Sequence, residues 1–122
     1  MTPNEYQKLA MRTCSIPYDR DLMEETFPSV HTRGMVLHAA LEINSEAGEV
    51  AGIAQKVYQG HDFNVDHMKK ELGDILWGIA EMTTALGLSM DEIMWCNIDK
   101  LRKRYPDSFE PKKSLHRSEN DF

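Results

Sequence analysis

Glu42, Glu46 and Glu49 follow one another at helical spacing, and Glu71 and Asp74 repeat that spacing after 21 intervening residues. On a helix that turns about 100° per residue, with Glu42 at zero, Glu46 lies at about 40°, Glu49 at about −20° and Lys56 at about −40°. These residues share one stripe, beside the apolar stripe rather than opposite it. Glu71 lies at the edge of the face formed by Leu72, Ile75 and Ile79. Two helices packed through their apolar stripes therefore bring two acidic edges together. Converging like charges repel, and losing water near a core costs them several kcal/mol (an order-of-magnitude figure) if they stay unpaired. A hard divalent cation removes that cost. Mg²⁺ suits it best, since it takes a few carboxylates together with water and phosphate oxygens, and Mn²⁺ is the natural substitute. Gly48, Gly52, Gly73 and Gly78 leave room beside the acids for metal, water and a phosphate chain. Acids at this spacing are commonly just a solvated face. Here they border the core on consecutive helices and are interleaved with glycine rather than lysine, which favours a metal site.

The elements that must carry these residues are helices. Thr2-Pro3-Asn4-Glu5 combines a capping residue, proline at the first helical position and a capping-box glutamate. It predicts a short helix to about Arg12, with Tyr6, Leu9 and Ala10 facing inward. Residues 14–30 hold Pro17 and Pro28 with little periodicity, which predicts a long loop with a helical turn around Asp21–Thr26. From His31 to Gln59, Val36, Ile43, Ala47, Val50, Ala54 and Val57 recur at helical spacing, and Gly60 closes the run. Asn64 or Asp66 caps the next helix, whose expected buried face is Met68, Leu72, Ile75, Ile79, Met82 and Leu86, with Gly87 at its end. Ser89-Met90-Asp91-Glu92 is a second capping box, opening a helix that Pro106 stops near Tyr105. No strand-like alternation and no internal repeat is visible. The fold class is all-α, a four-helix-bundle-like core with a long loop near its start. A single domain spans residues 1–122, with the core at about 31–106 and a charged, flexible tail at about 107–122.

Bulk properties narrow the partners. The 122 residues carry 20 acidic and 14 basic side chains, for a formal net charge of −6. Such a surface repels nucleic-acid polymers and anionic membranes, yet a free nucleotide can be met by metal ions and a few local cations. No apolar run approaches membrane-spanning length and no secretory signal is visible, so a cytoplasmic location is expected. Cys14 and Cys96 have no zinc-type spacing and read as reduced thiols.

The words around the acids resemble a known family. Glu46-Ala-Gly-Glu49 followed by Glu71-Leu-Gly-Asp74 is similar to the Glu-x-x-Glu … Glu-x-x-Asp signature of the MazG-like nucleotide pyrophosphohydrolases, in the all-α NTP pyrophosphatase superfamily. Glu71-Leu-Gly-Asp74-Ile-Leu-Trp77, Leu86-Gly87-Leu88-Ser89 with Asp91-Glu92-Ile93, and the stretch from Asn97 through Lys100 and Arg104 to Tyr105-Pro106 resemble further family words in the same order. Glu5-Tyr6 through Thr13 is similar to the opening helix of small stand-alone members. The resemblance implies that Glu46, Glu49, Glu71 and Asp74 bind Mg²⁺. It also implies that Asn97, Lys100 and Arg104 face the nucleotide, that Lys56 reaches a phosphate, and that members form homodimers or homotetramers. Glu42, one turn before the motif, is expected as an outer-shell carboxylate or a base candidate rather than a core motif residue.

The implied activity is conversion of a nucleoside or deoxynucleoside triphosphate to the monophosphate and pyrophosphate. Metal ions offset the phosphate charge and lower the pKa of a water that attacks the α-phosphorus, and Glu46 or Glu49 takes its proton. Lys100 and Arg104, near −60° and −20° of Asn97 on an ideal helix (both about), counter charge on the departing pyrophosphate. His38 and His67 are expected as hydrogen-bonding neighbours rather than ligands, Trp77 and Trp95 as packing residues between helices or subunits in preference to stacking on a base, and Tyr105 as a packing residue at a helix end. The cysteines carry no functional assignment. Ala40, Gly48 and Ala51 form a small-residue face that could seat another helix, pointing to a homodimer that completes a larger bundle. A di-iron bundle is disfavoured, because neither Glu46 nor Glu71 has a histidine three residues on. The alternative is a non-catalytic helical interaction module on the same fold.

Overall fold

The computed structural model describes residues 1–14 and 30–116. The body of the expected loop, its helical turn at 21–26, and residues 117–122 lie outside the described residues. Within them the chain is helical and contains no strand. α1 spans Pro3–Ala10 and tightens into a 3₁₀ turn at Met11–Thr13; α2 spans Val30–Tyr58, α3 Val65–Ala85, α4 Met90–Arg104 and α5 Pro111–Leu115. The short α5 was not anticipated. It occupies part of the segment expected as a tail, and Lys113 pairs with Glu110 at 3.2 Å beside its first turn.

Local chemistry accounts for the boundaries. Thr2 and Glu5 exchange hydrogen bonds at the start of α1, and Ser89 and Glu92 do the same at α4. Of the two caps expected for α3, Asn64 is the one used: its Oδ1 accepts from the His67 N–H at 3.0 Å. Gly60 and Gly87 hold φ of 101° and 68°, values that a Cβ disfavours, so each chain reversal falls on a glycine.

α2 and α3 form an antiparallel hairpin. His38 meets Glu81, Ile43 meets Gly78, and Glu46 meets Glu71 and Asp74, so positions rise on one helix as they fall on the other. The seam on α2 is Thr32, Met35, Ala39 and Ile53, with Glu42, Ile43, Glu46 and Val50 half-buried between them. This corrects the expected stripe, since Ala47, Ala54 and Val57 are exposed. The buried line is rotated by about 60° toward the acids, which places Glu42 and Glu46 in the helix–helix seam instead of beside it. Leu72 on α3 and Leu86 just past its end are likewise exposed, and the sealed positions of α3 are Gly78, Ala80, Glu81, Thr83 and Ala85.

α1 lies across the end of the hairpin. The Gln7 amide donates to Thr84 Oγ1 and the Leu88 carbonyl, while its Oε1 accepts from the Met90 N–H at 3.0 Å. Asn4 Oδ1 accepts from the Asp91 N–H at 3.2 Å. Leu9, expected to face inward, is exposed. α4 is fixed at its start and buried only at Met90; residues 91–99 are all exposed.

Candidate metal centre and adjoining cleft

Three carboxylates from two helices converge. Glu46 on α2 and Glu71 and Asp74 on α3 each offer an oxygen, and these oxygens lie within 4.8 Å of one another. Glu46 and Glu71 are half-buried and Asp74 is exposed, so the group lines the wall of the seam with one side open. The electrostatic consequence falls on Glu46. Desolvation pushes its carboxyl above the ordinary glutamate value, and the charges of Asp74, Glu42 and Glu71 and a hydrogen bond with Glu71 push it further the same way. His67, one turn before Glu71, hydrogen-bonds it at 3.1 Å. A set of hard oxygen donors held together against their own repulsion fits a hard divalent cation.

Of the remaining acids, Glu49 is exposed and stands outside this trio, whereas Glu42 is half-buried and borders the cleft beside it. That cleft, of about 480 Å³, is lined by Thr13, His38, Glu42, Asp74 and Trp77. Lys56 and Asn97 are exposed, Lys100 and Arg104 half-buried, and none of the four lines the cleft. The space expected beside the glycines is present at Gly48, Gly52 and Gly73, where an added Cβ would meet nothing within 4 Å. Gly78 differs: Ile43 fills its space.

The cleft wall contains groups that the acid pattern did not point to. Trp77 donates its indole N–H to Thr13 Oγ1 at 2.9 Å and to the Ala10 carbonyl at 3.2 Å, tying the end of α1 to α3. The Tyr6 hydroxyl is pushed above its ordinary value by burial first and then by the Asp74 charge, which places α1 against the acids. His38 Nδ1 lies 2.6 Å from Oε1 of the fully buried Glu81, and Cys14 Sγ lies 3.7 Å from Oε2. Glu81 was the available signal in the sequence: a carboxylate in the small and apolar run Gly78-Ile-Ala-Glu-Met, with no basic residue in reach along its own helix.

Residues 37–109 match the MazG nucleotide pyrophosphohydrolase domain family, which is more than half of the chain. The chain belongs to the MazG family. The MazG match runs from early α2 through all of α3 and α4, holds all four signature acids, and leaves α1 outside it. A similar protein is the Gene 37 protein of Mycobacterium phage L5, 28% identical over 72 residues that cover 55% of this chain and 63% of that protein. The chain therefore spans less than two thirds of the length of that relative. No solved structure matches it. Among the described residues no helix is long and apolar enough to cross a membrane.

Proposed function

We propose that this MazG domain is a Mg²⁺-dependent hydrolase that converts a nucleoside or deoxynucleoside triphosphate to the monophosphate and pyrophosphate. The observation that carries this reading is the convergence of Glu46, Glu71 and Asp74 within 4.8 Å at the edge of a cleft, in a chain of this family. Glu46, Glu71 and Asp74, with Glu49 completing the set from the next turn of α2, would hold Mg²⁺ or Mn²⁺. A cation held there would supply neutralising charge and make a water more acidic.

The chain's own residues do the rest. A water oxygen forms the new bond to the α-phosphorus, the bond from that phosphorus to the bridging oxygen breaks, and pyrophosphate leaves. Glu46 or Glu49 takes the proton of the attacking water. Glu42, at the cleft wall, orients neighbours from outside the ligand set. Lys56 on α2 and Asn97, Lys100 and Arg104 on α4 are assigned to the nucleotide, with the cations countering charge on the departing group. The expected setting is the cytoplasm.

Assembly belongs to the same proposal. Leu37 and Leu41 on α2 are more than 60% exposed, and Leu72 and Leu76 on α3, like Met94, Trp95 and Ile98 on α4, also face outward. Apolar surface on this scale supports burial against a second copy, as a homodimer or homotetramer. Incubation with a panel of triphosphates and Mg²⁺, followed by product analysis, tests the activity. Pyrophosphate with the monophosphate supports it. Release of orthophosphate would indicate another phosphohydrolase, and no turnover of any triphosphate would favour a non-catalytic interaction module.

A further inference from the structure

Glu81 is 0% exposed, on the third helix of an acidic protein, and no step described above uses it. A buried carboxylate is costly unless it is partnered, and a leucine of similar size would fill the same space without that cost. The Cys14 thiol meets one Glu81 oxygen and His38 the other; the His38 side chain is 46% exposed and lines the cleft that Asp74 and Glu42 border. The carboxylate accepts and Nδ1–H donates, across 2.6 Å. Trp77 stands edge-on to the imidazole, with centroids 6.3 Å apart and planes at 80°. The ring is thus held at one nitrogen and along one edge, and among the described residues Nε2 makes no hydrogen bond. A histidine needed only for packing requires neither restraint.

We propose that His38, locked by the buried Glu81, is a contact to the nucleoside portion of the substrate, and that Glu81 is its positioning residue. The chemistry of the wall selects that portion of the ligand. Among the described residues no lysine or arginine lines the cleft to take a phosphate directly. The Thr13 hydroxyl is already taken, donating to the Ala10 carbonyl and accepting from Trp77, so the wall offers the His38 imidazole nitrogen and the Trp77 aromatic surface. Those groups suit a planar base or a sugar hydroxyl. Trp77 spends its N–H on Thr13 and Ala10, so it contributes surface and not a hydrogen bond, which leaves His38 as the directional group on that side. The identity of the ligand as a nucleotide rests on the hydrolase reading above; the locked histidine does not.

The test compares wild type with His38→Phe, Glu81→Leu, Glu81→Gln and the double variant His38→Phe/Glu81→Leu. Far-UV circular dichroism and melting confirm folding, and His38→Phe, at a half-exposed position, keeps the measurement open if Glu81→Leu fails to fold. KM and kcat are measured for each triphosphate, and binding of the corresponding nucleoside monophosphates is measured by calorimetry without metal. Losing one directional hydrogen bond to ligand corresponds to roughly tenfold in affinity. His38→Phe and Glu81→Leu are each expected to raise KM and the monophosphate Kd by about that factor, with kcat and Mg²⁺ affinity little changed. The double variant should be no worse than either single change, and Glu81→Gln, whose amide carbonyl still accepts Nδ1–H, should stay close to wild type. Unchanged KM and unchanged monophosphate binding in His38→Phe overturn the inference, as does a Glu81→Leu loss that adds fully to that of His38→Phe. If wild type hydrolyses no triphosphate yet His38→Phe weakens monophosphate binding, the hydrolase reading falls and the locked contact stands.

Discussion

A Cβ built on Gly78 would lie 2.8 Å from Ile43 Cγ1 and 3.3 Å from the Ile43 backbone nitrogen, so this glycine sets how closely α3 approaches α2. Gly78→Ala gains about 1 kcal/mol of helix propensity. It must also push the helices apart, at a cost of about 1–3 kcal/mol. Because a backbone atom is one of the obstacles, the cost falls at the upper end of that range, about 2–3 kcal/mol, and we expect net destabilisation of about 1–2 kcal/mol. Gly52→Ala meets nothing within 4 Å and should be neutral or stabilising. Denaturant melts of the two variants check the pair, and a Gly78→Ala protein as stable as Gly52→Ala would contradict the seam.

Asp74→Asn and Glu49→Gln separate the acids that converge from the one that stands apart. Both are expected to lower turnover on the order of a hundredfold or more while leaving the melting curve in place, because these side chains serve metal rather than packing. Calorimetric titration with Mg²⁺ should show the larger loss for Asp74→Asn, which removes a member of the trio. Near-native activity in either variant would mean the ligand set is misassigned.

Acidity should stabilise the metal-free protein over a defined window. The Glu46 carboxyl titrates above its ordinary value, chiefly through desolvation and the Asp74 charge. Its contribution is therefore fully present below the unfolded value and is lost as pH rises through the folded one. Glu5 is shifted the other way, first by hydrogen bonding to the Thr2 backbone, then by the Thr2 side chain. Its stabilisation fails only below the ordinary carboxylate value, so the two windows do not overlap. With chelator present, the melting temperature should rise as the pH is lowered from neutral to the ordinary glutamate value, and Glu46→Gln should flatten that rise. Mg²⁺ should reverse the trend, since binding needs the ionised carboxylates. A chelated wild type that melts at the same temperature at both values would contradict the crowding of these acids.

Sedimentation at micromolar concentration is expected to give a dimer or tetramer mass. Trp95→Glu, at a 53% exposed position, should weaken that association without unfolding the chain. A monomeric wild type would refute the assembly.

The helices and their ends were legible because the signals are local. Thr2 with Glu5, Ser89 with Glu92, Gly60 and Gly87 each act within one turn of where they sit. The meeting of Glu46 with Glu71 and Asp74 was legible too, from spacing on two consecutive helices. What periodicity could not supply was the rotation of α2. Val36, Ala47, Ala54 and Val57 look like a core stripe by polarity, yet the seam follows Thr32, Met35, Ala39 and Ile53, and the helices approach most closely where Gly78 of α3 meets Ile43. Polarity ranks Thr32 and Glu81 as surface residues; tertiary partners, which no window along the chain contains, bury them. The cleft wall was hidden for the same reason, since Thr13 reaches it from the 3₁₀ turn after α1, far away in sequence.

The clasp made by Asn4 and Gln7 on the first turn of α4 has a practical corollary. Those two amides occupy N–H groups that a free helix start would leave to solvent. Perturbing the opening residues therefore reaches the orientation of α4 directly, and with it whatever Asn97, Lys100 and Arg104 address. Affinity tags and fluorophores are better attached beyond α5 than ahead of Thr2.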